Sequence, residues 1–94
     1  MSQTCEREFV IRSELGLHAR PAGRFVALAG RFASEIQVAR DGEWVSGLSV
    51  LSLLSLAAGQ GTRLRIRAVG QDAEEAVEQL GRLLEALGEP VPEV

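Results

Sequence analysis

Residues 62 to 69, Thr-Arg-Leu-Arg-Ile-Arg-Ala-Val, alternate apolar and basic side chains with a period of two. That period belongs to a β-strand, whose successive Cβ atoms point to opposite faces, so Leu64, Ile66 and Ala68 line one face and Arg63, Arg65 and Arg67 the other. A sheet with one arginine-rich face can be covered on the other face only. The helices of such a chain must therefore gather on a single side.

The remaining segments supply matching parts. Glu6 to Arg12 places Phe9 and Ile11 on one strand face and Glu6, Glu8, Val10 and Arg12 on the other, which offers acids to the arginine row across strands. With such acids at hand, and no aromatics interleaved, the row reads as a solvated sheet face rather than a nucleic-acid surface. From Ala19 the spacing turns helical: Ala22, Phe25, Val26, Ala29 and Phe32 form an apolar stripe, Gly23, Arg24 and Ala27 point elsewhere, and Gly30 suits the end. Ile36 and Val38 alternate with Glu35 and Gln37 in a strand, Asp41-Gly42 is a hairpin turn signal, and Glu43-Trp44-Val45 returns with Trp44 half-buried.

Between residues 47 and 58, Ser49, Ser52 and Ser55 continue from Ser46 at every third position, a slowly rotating stripe that predicts a short helix. A turn at Gly59-Gln60-Gly61 precedes the arginine-rich strand. Asp72 followed by Glu75 predicts a capping box, and Glu74 and Glu75 suit the positive end of the helix that follows. Ala73, Ala76, Val77, Leu80, Leu83, Leu84 and Leu87 form its stripe, ended by Gly88 and Pro90. The order β-α-β-β-α-β-α predicts an α+β, open-faced two-layer sandwich, with a four-stranded antiparallel sheet and three helices on one face. Residues 1–88 make one domain in this reading, and 89–94 a flexible C-terminal tail.

At 94 residues and 46% hydrophobic content, one core suffices without disulfides. Cys5 is the only cysteine and reads as a strand residue near a terminus, without a partner thiol or metal-ligand spacing. No stretch approaches the roughly 18 apolar residues of a membrane span, so the chain is expected to be cytoplasmic and not inserted in a membrane. A net charge of −3 argues against nucleic-acid binding. All ten basic residues are arginines, and residues 12–31 hold four of them against Glu14 alone, whereas residues 72–94 hold seven acids against Arg82. The basic end surrounds the only histidine.

That histidine lies in Gly16-Leu17-His18-Ala19-Arg20-Pro21-Ala22. Gly16 permits a tight turn out of the first strand, and Pro21 fits a helix's first turn, where no intrahelical N–H bond is lost. Free amides at a helix start attract anions, and the planar donors of Arg20 match phosphate oxygens. An imidazole, whose unperturbed pKa is about 6.5, offers a neutral nucleophilic nitrogen near neutral pH. The plainer account makes His18 a capping residue and Arg20 a solvated charge.

The string Leu17-His18-Ala19-Arg20-Pro21-Ala22 resembles the active-site signature of the HPr family, the histidine-containing phosphocarriers of the bacterial phosphoenolpyruvate-dependent phosphotransferase system. The resemblance runs from the first strand through the last helix. It implies that His18 is phosphorylated on Nδ1 by Enzyme I and passes the group to an Enzyme IIA-type acceptor, for sugar transport or a regulatory chain, with Arg20 neutralising the phosphoryl oxygens. The protein would then be a stoichiometric carrier rather than an enzyme, without cofactor or metal. The resemblance also places the docking surface on the first helix, at Gly23, Arg24 and Ala27, and on the short second helix, at Val50, Leu51 and Leu54. Periodicity alone leaves Leu51 and Leu54 divided between docking surface and core. Ser49 aligns with a serine that an HPr serine kinase modifies in some bacteria, although Leu48-Ser49-Val50-Leu51-Ser52 lacks the Lys and Gly of the usual Lys-Ser-Ile-Met-Gly neighbourhood.

Two other readings compete. A ferredoxin-like regulatory module that binds a small ligand shares the β-α-β-β-α-β order, and a small enzyme could use His18 as general base. The latter needs an orienting carboxylate, for which Glu14 and Glu43 are the candidates.

Overall fold

The computed structural model describes residues 3–86. The expected boundary at residue 88, the tail over 89–94 and the helix-ending Gly88 and Pro90 lie outside the described residues, as does Leu87.

The elements follow the expected order: β1 (Gln3–Val10), α1 (Ala19–Ala29), β2 (Glu35–Arg40), β3 (Glu43–Ser46), α2 (Val50–Ser55), β4 (Arg63–Gly70) and α3 (Ala73–Glu85). The strands form one antiparallel sheet ordered β1-β4-β2-β3, so β4 is flanked on both sides. Phe9 pairs with Leu64, while Val38 and Ile36 pair with Ile66 and Ala68. Leu64, Ile66 and Ala68 are fully buried in one cluster with Ala22 and Phe25 of α1, Leu53 of α2, and Ala76, Val77, Leu80 and Leu84 of α3. All three helices thus serve one apolar sheet face.

The other face is wet, and its charges compensate one another. Arg65 meets Glu6 at 2.9 Å and Glu8 at 3.9 Å, and Arg63 meets Glu8 at 3.9 Å. Partly exposed pairs of this kind contribute little each to stability. Ala39 lies on this face yet is buried, between its cross-strand partners Trp44 and Arg65, and Trp44 is half-buried as expected. The Asp41-Gly42 turn has φ of 51° and 82°, the paired left-handed geometry of a two-residue hairpin.

Three local features depart from the sequence reading or escape it. Gly30 ends α1 at φ −66°, so the helix does not use a left-handed glycine; it tightens instead, with Arg31 N–H donating to the Leu28 carbonyl at 3.0 Å. Gly81 interrupts the stripe of α3 because the Phe9 ring occupies the space a Cβ would need. The capping box at α3 does not form either. Asp72 sits at the N-cap without a cap bond, and its carboxylate accepts hydrogen bonds from Ala33 N–H at 2.8 Å, Ser34 N–H at 3.0 Å and Ser34 Oγ at 2.6 Å. A longer-range set of donors has won over the helix's own amides and ties the start of α3 to the α1–β2 loop.

These bonds, the Ser34 hydroxyl foremost and the Ala33 N–H next, hold the Asp72 carboxyl below its ordinary value of 3.8. A carboxylate with a lowered native pKa contributes its full stabilisation above the unfolded value and loses it as pH falls through the native one. Asp72→Asn is therefore expected to lower stability at neutral pH. It should also flatten the loss of stability below about pH 4, as read by urea unfolding at a series of pH values.

Candidate functional site

The segment that leaves β1 is fastened to the segment that enters β4. Ile11 N–H donates to the Thr62 carbonyl at 2.9 Å, Gly61 N–H to the Ile11 carbonyl at 2.7 Å, and Gln60 Nε2 to the Arg12 carbonyl at 3.1 Å. Leu17 N–H then donates to the Ala58 carbonyl at 2.8 Å, and the Leu17 side chain is buried in the core. Gly16 turns the chain at φ +66°, with the backbone of Ala58 and Gly59 standing where a Cβ would be. A side chain is excluded there on both counts. The buried Leu17 and the turn at Gly16 together leave the next residue, His18, exposed.

His18 is the N-cap of α1, in extended conformation at φ −89° and ψ −175°. Its carbonyl accepts the Ala22 N–H at 3.0 Å, and its imidazole makes no cap bond. Pro21, in the first turn, has no N–H to satisfy, as the sequence reading expects. The helix carries no acid in that turn, so its positive end is uncompensated from within the helix. Arg20 and Arg24, one turn apart, and Ala27 beyond them are exposed along one side of α1, with Gly23 half-buried. The structure thus gathers His18, Arg20, Arg24 and Ala27 at one helix end and face.

Packed beside α1, the short α2 completes the surface. The ambiguity over its leucines resolves residue by residue: Leu51 is 80% exposed, Leu54 is half-buried, and the core position belongs to Leu53. Val50 is half-buried. Ser49 is the N-cap of α2, its Oγ accepting the Ser52 N–H at 3.2 Å. Two further exposed apolar residues, Leu15 at 77% and Leu48 at 49%, lie in the loops before His18 and Ser49. Periodicity does not mark them, because loop residues have no repeating face; their only sequence signal is adjacency to the motif residues.

Glu14 and Glu43 are exposed, and the described carboxylates that do hydrogen-bond, those of Glu6, Asp72, Glu75 and Glu78, take other partners. Two open grooves exist elsewhere, one of about 380 Å³ lined by Arg40, Asp41, Gln60, Gly61, Thr62 and Arg63 and an acidic one along the start of α3; neither includes His18. The imidazole itself is exposed. Chemically, this arrangement suits an anionic group presented by another large molecule better than a small substrate enclosed in a pocket. Gly16→Ala is expected to destabilise the fold by about 1–3 kcal/mol and to shift the amide resonances of Leu17 and His18 beyond those of α3. Urea unfolding and NMR of the variant would check both.

Residues 5–86 match the family described as the PTS HPr component phosphorylation site. The chain is 41% identical to the phosphocarrier protein HPr of Pseudomonas aeruginosa over 82% of its own length and 87% of that relative. It is 40% identical to the HPr-like protein Crh of Halalkalibacterium halodurans, over 85% and 95% of the two chains. Its fold superposes on the crystal structure of HPr-C-His from Thermoanaerobacter tengcongensis with a TM-score of 0.85 and 39% identity, covering 93% of this chain and 99% of that one. An open-faced sandwich of this order is matched over most of its length by HPr and HPr-like relatives. The chain belongs to the HPr family of the phosphotransferase system.

Proposed function

We propose that this protein is a stoichiometric phosphocarrier that accepts a phosphoryl group on His18 from Enzyme I and delivers it to an Enzyme IIA-type acceptor. The observation that carries the reading is an exposed imidazole at the uncompensated N-terminus of α1, with a guanidinium two residues on, inside the matched family region. In the accepting step the lone pair on Nδ1 of His18 attacks phosphorus. The phosphorus bond to the donor's histidine breaks, and its electron pair stays on the departing imidazole. Delivery is the same exchange with the acceptor's histidine as nucleophile. Arg20 and the helix end offset the charge on the phosphoryl oxygens, and open access permits in-line approach from either partner.

Docking would use Arg24, Ala27, Val50, Leu51 and Leu54, with Leu15 and Leu48 adding apolar area around the reactive residue. Uncompensated arginines beside this patch favour partners with an acidic rim. Among the described residues no helix is long and apolar enough to cross a membrane. Ser49 is the candidate site for an HPr serine kinase. A phosphate there adds about −1.5 to −2 charges beside Leu48 and Leu51, which opposes docking of an apolar partner surface.

Incubation with phosphoenolpyruvate and catalytic Enzyme I should add one acid-labile phosphate to the wild type and none to a folded His18→Ala. Arg20→Ala should slow acceptance on the order of tenfold, less than the roughly hundredfold or greater loss on removing an oxyanion donor from an enclosed site. An adduct that survives in His18→Ala would overturn the reading. Treatment with an HPr serine kinase should place phosphate on Ser49, mapped by mass spectrometry; an unmodified Ser49 would sink that part.

A further inference from the structure

Arg40 is the last residue of β2, immediately before the hairpin turn, yet its guanidinium reaches the far end of α2. Its Nη1 donates to the Leu56 carbonyl at 2.9 Å and to the Ala57 carbonyl at 2.7 Å. Such carbonyls at a helix C-terminus have no intrahelical partner and form the negative end of the dipole, so a cation with N–H donors suits them. Arg40 also faces its neighbour Asp41 at 3.8 Å, a contact too long to compete with the two carbonyl bonds.

Ala57 has φ of +50°, the left-handed conformation that helix ends ordinarily assign to glycine. An alanine in this region is strained, and strain of this kind persists only where surrounding contacts fix it. The bonds from Arg40 hold the carbonyls on both sides of the Ala57 Cα. One residue further on, the Ala58 carbonyl accepts Leu17 N–H at 2.8 Å and stands against the Cα of Gly16. His18 is the next residue after Leu17. A continuous path therefore runs from the Arg40 guanidinium through the backbone at strained Ala57 to the loop that presents the imidazole.

We infer that Arg40 is a positioning residue for phosphoryl transfer, setting the Ala58 carbonyl that anchors the His18 loop; this rests on the reading of His18 as the phosphoryl acceptor. Arg40 does not touch the phosphoryl group. It acts by holding the backbone that carries the imidazole, and placement of the nucleophile governs the transfer step more than the encounter. Arg40 bonds carbonyls beyond the last turn of α2 and none of the docking residues Arg24, Ala27, Val50, Leu51 and Leu54, so the loss should fall mainly on kcat and leave KM for this protein with Enzyme I within about twofold.

The test compares wild type, Arg40→Met, Arg40→Met with Ala57→Gly, and Arg65→Met, an outer-face control, all shown to be folded by circular dichroism. Arg40→Met should lower kcat about fivefold to tenfold with KM within about twofold. Its Leu17 amide should exchange roughly tenfold faster, with Ile66 in β4 unchanged. Adding Ala57→Gly, which adopts the left-handed conformation without strain, should recover most of the lost kcat. Arg65→Met should behave as wild type. An Arg40→Met protein with wild-type kcat, with a raised KM instead, or with exchange accelerated equally at Leu17 and Ile66, would overturn the inference. A wild type that takes no phosphate from active Enzyme I would fail at the earlier step and bring down the His18 reading itself.

Discussion

Strand β4 offers apolar side chains on one face only, and the positions of all three helices follow from that asymmetry. Leu64, Ile66 and Ala68 are fully buried while the arginines between them remain in water, so α1, α2 and α3 must share one side of the sheet. Three helices on one side leave their ends, and the loops leading into them, along the rim of the sandwich. The start of α1 is at such a rim, next to the segment that joins α2 to β4, and the hydrogen bond from Leu17 to Ala58 fastens the two. The exposed position of His18 is thus an edge effect of one-sided burial.

The site's chemistry depends on what is left unsatisfied. Along the wet sheet face, Arg63 and Arg65 find Glu6 and Glu8, and Asp72 finds three donors of the Ala33–Ser34 segment. At the start of α1 no acid enters the first turn and the imidazole makes no cap bond. A helix start would be more stable with an acid or a capping side chain there, so the uncompensated end sacrifices local stability for a place where an anion can sit.

Much of this architecture was legible from periodicity and turn chemistry. The alternation at Arg63–Gly70, the apolar stripe of α1 and the Asp41-Gly42 turn each declare themselves within a few residues, and they fix element order and sheet faces. The His18 string was legible for the same reason, since a glycine turn, an imidazole, a cation and a proline lie within six positions. The features with no local sequence signal depend on residues far apart in the chain. Asp72 chose Ser34, Arg40 chose Leu56 and Ala57, and Gly81 makes room for Phe9, none of which a local window contains. The leucines of α2 divided between core and surface because a six-residue helix is too short for its stripe to define a face.

The pairing of β1 with β4, and the seating of Phe9 against Gly81, join the beginning of the chain to its last third. On a ribosome, β1 emerges first and finds no sheet partner until β4 has been made, and no cover for its apolar face until α3 follows. Closure of the sandwich therefore waits until α3 has been made, and contacts of such sequence separation are intrinsically slow to form. The interval exposes an unpaired strand, the kind of segment that recruits other chains. Glu6, Arg7 and Glu8 put three consecutive charges in the middle of that strand, which protects the nascent chain before the fold can.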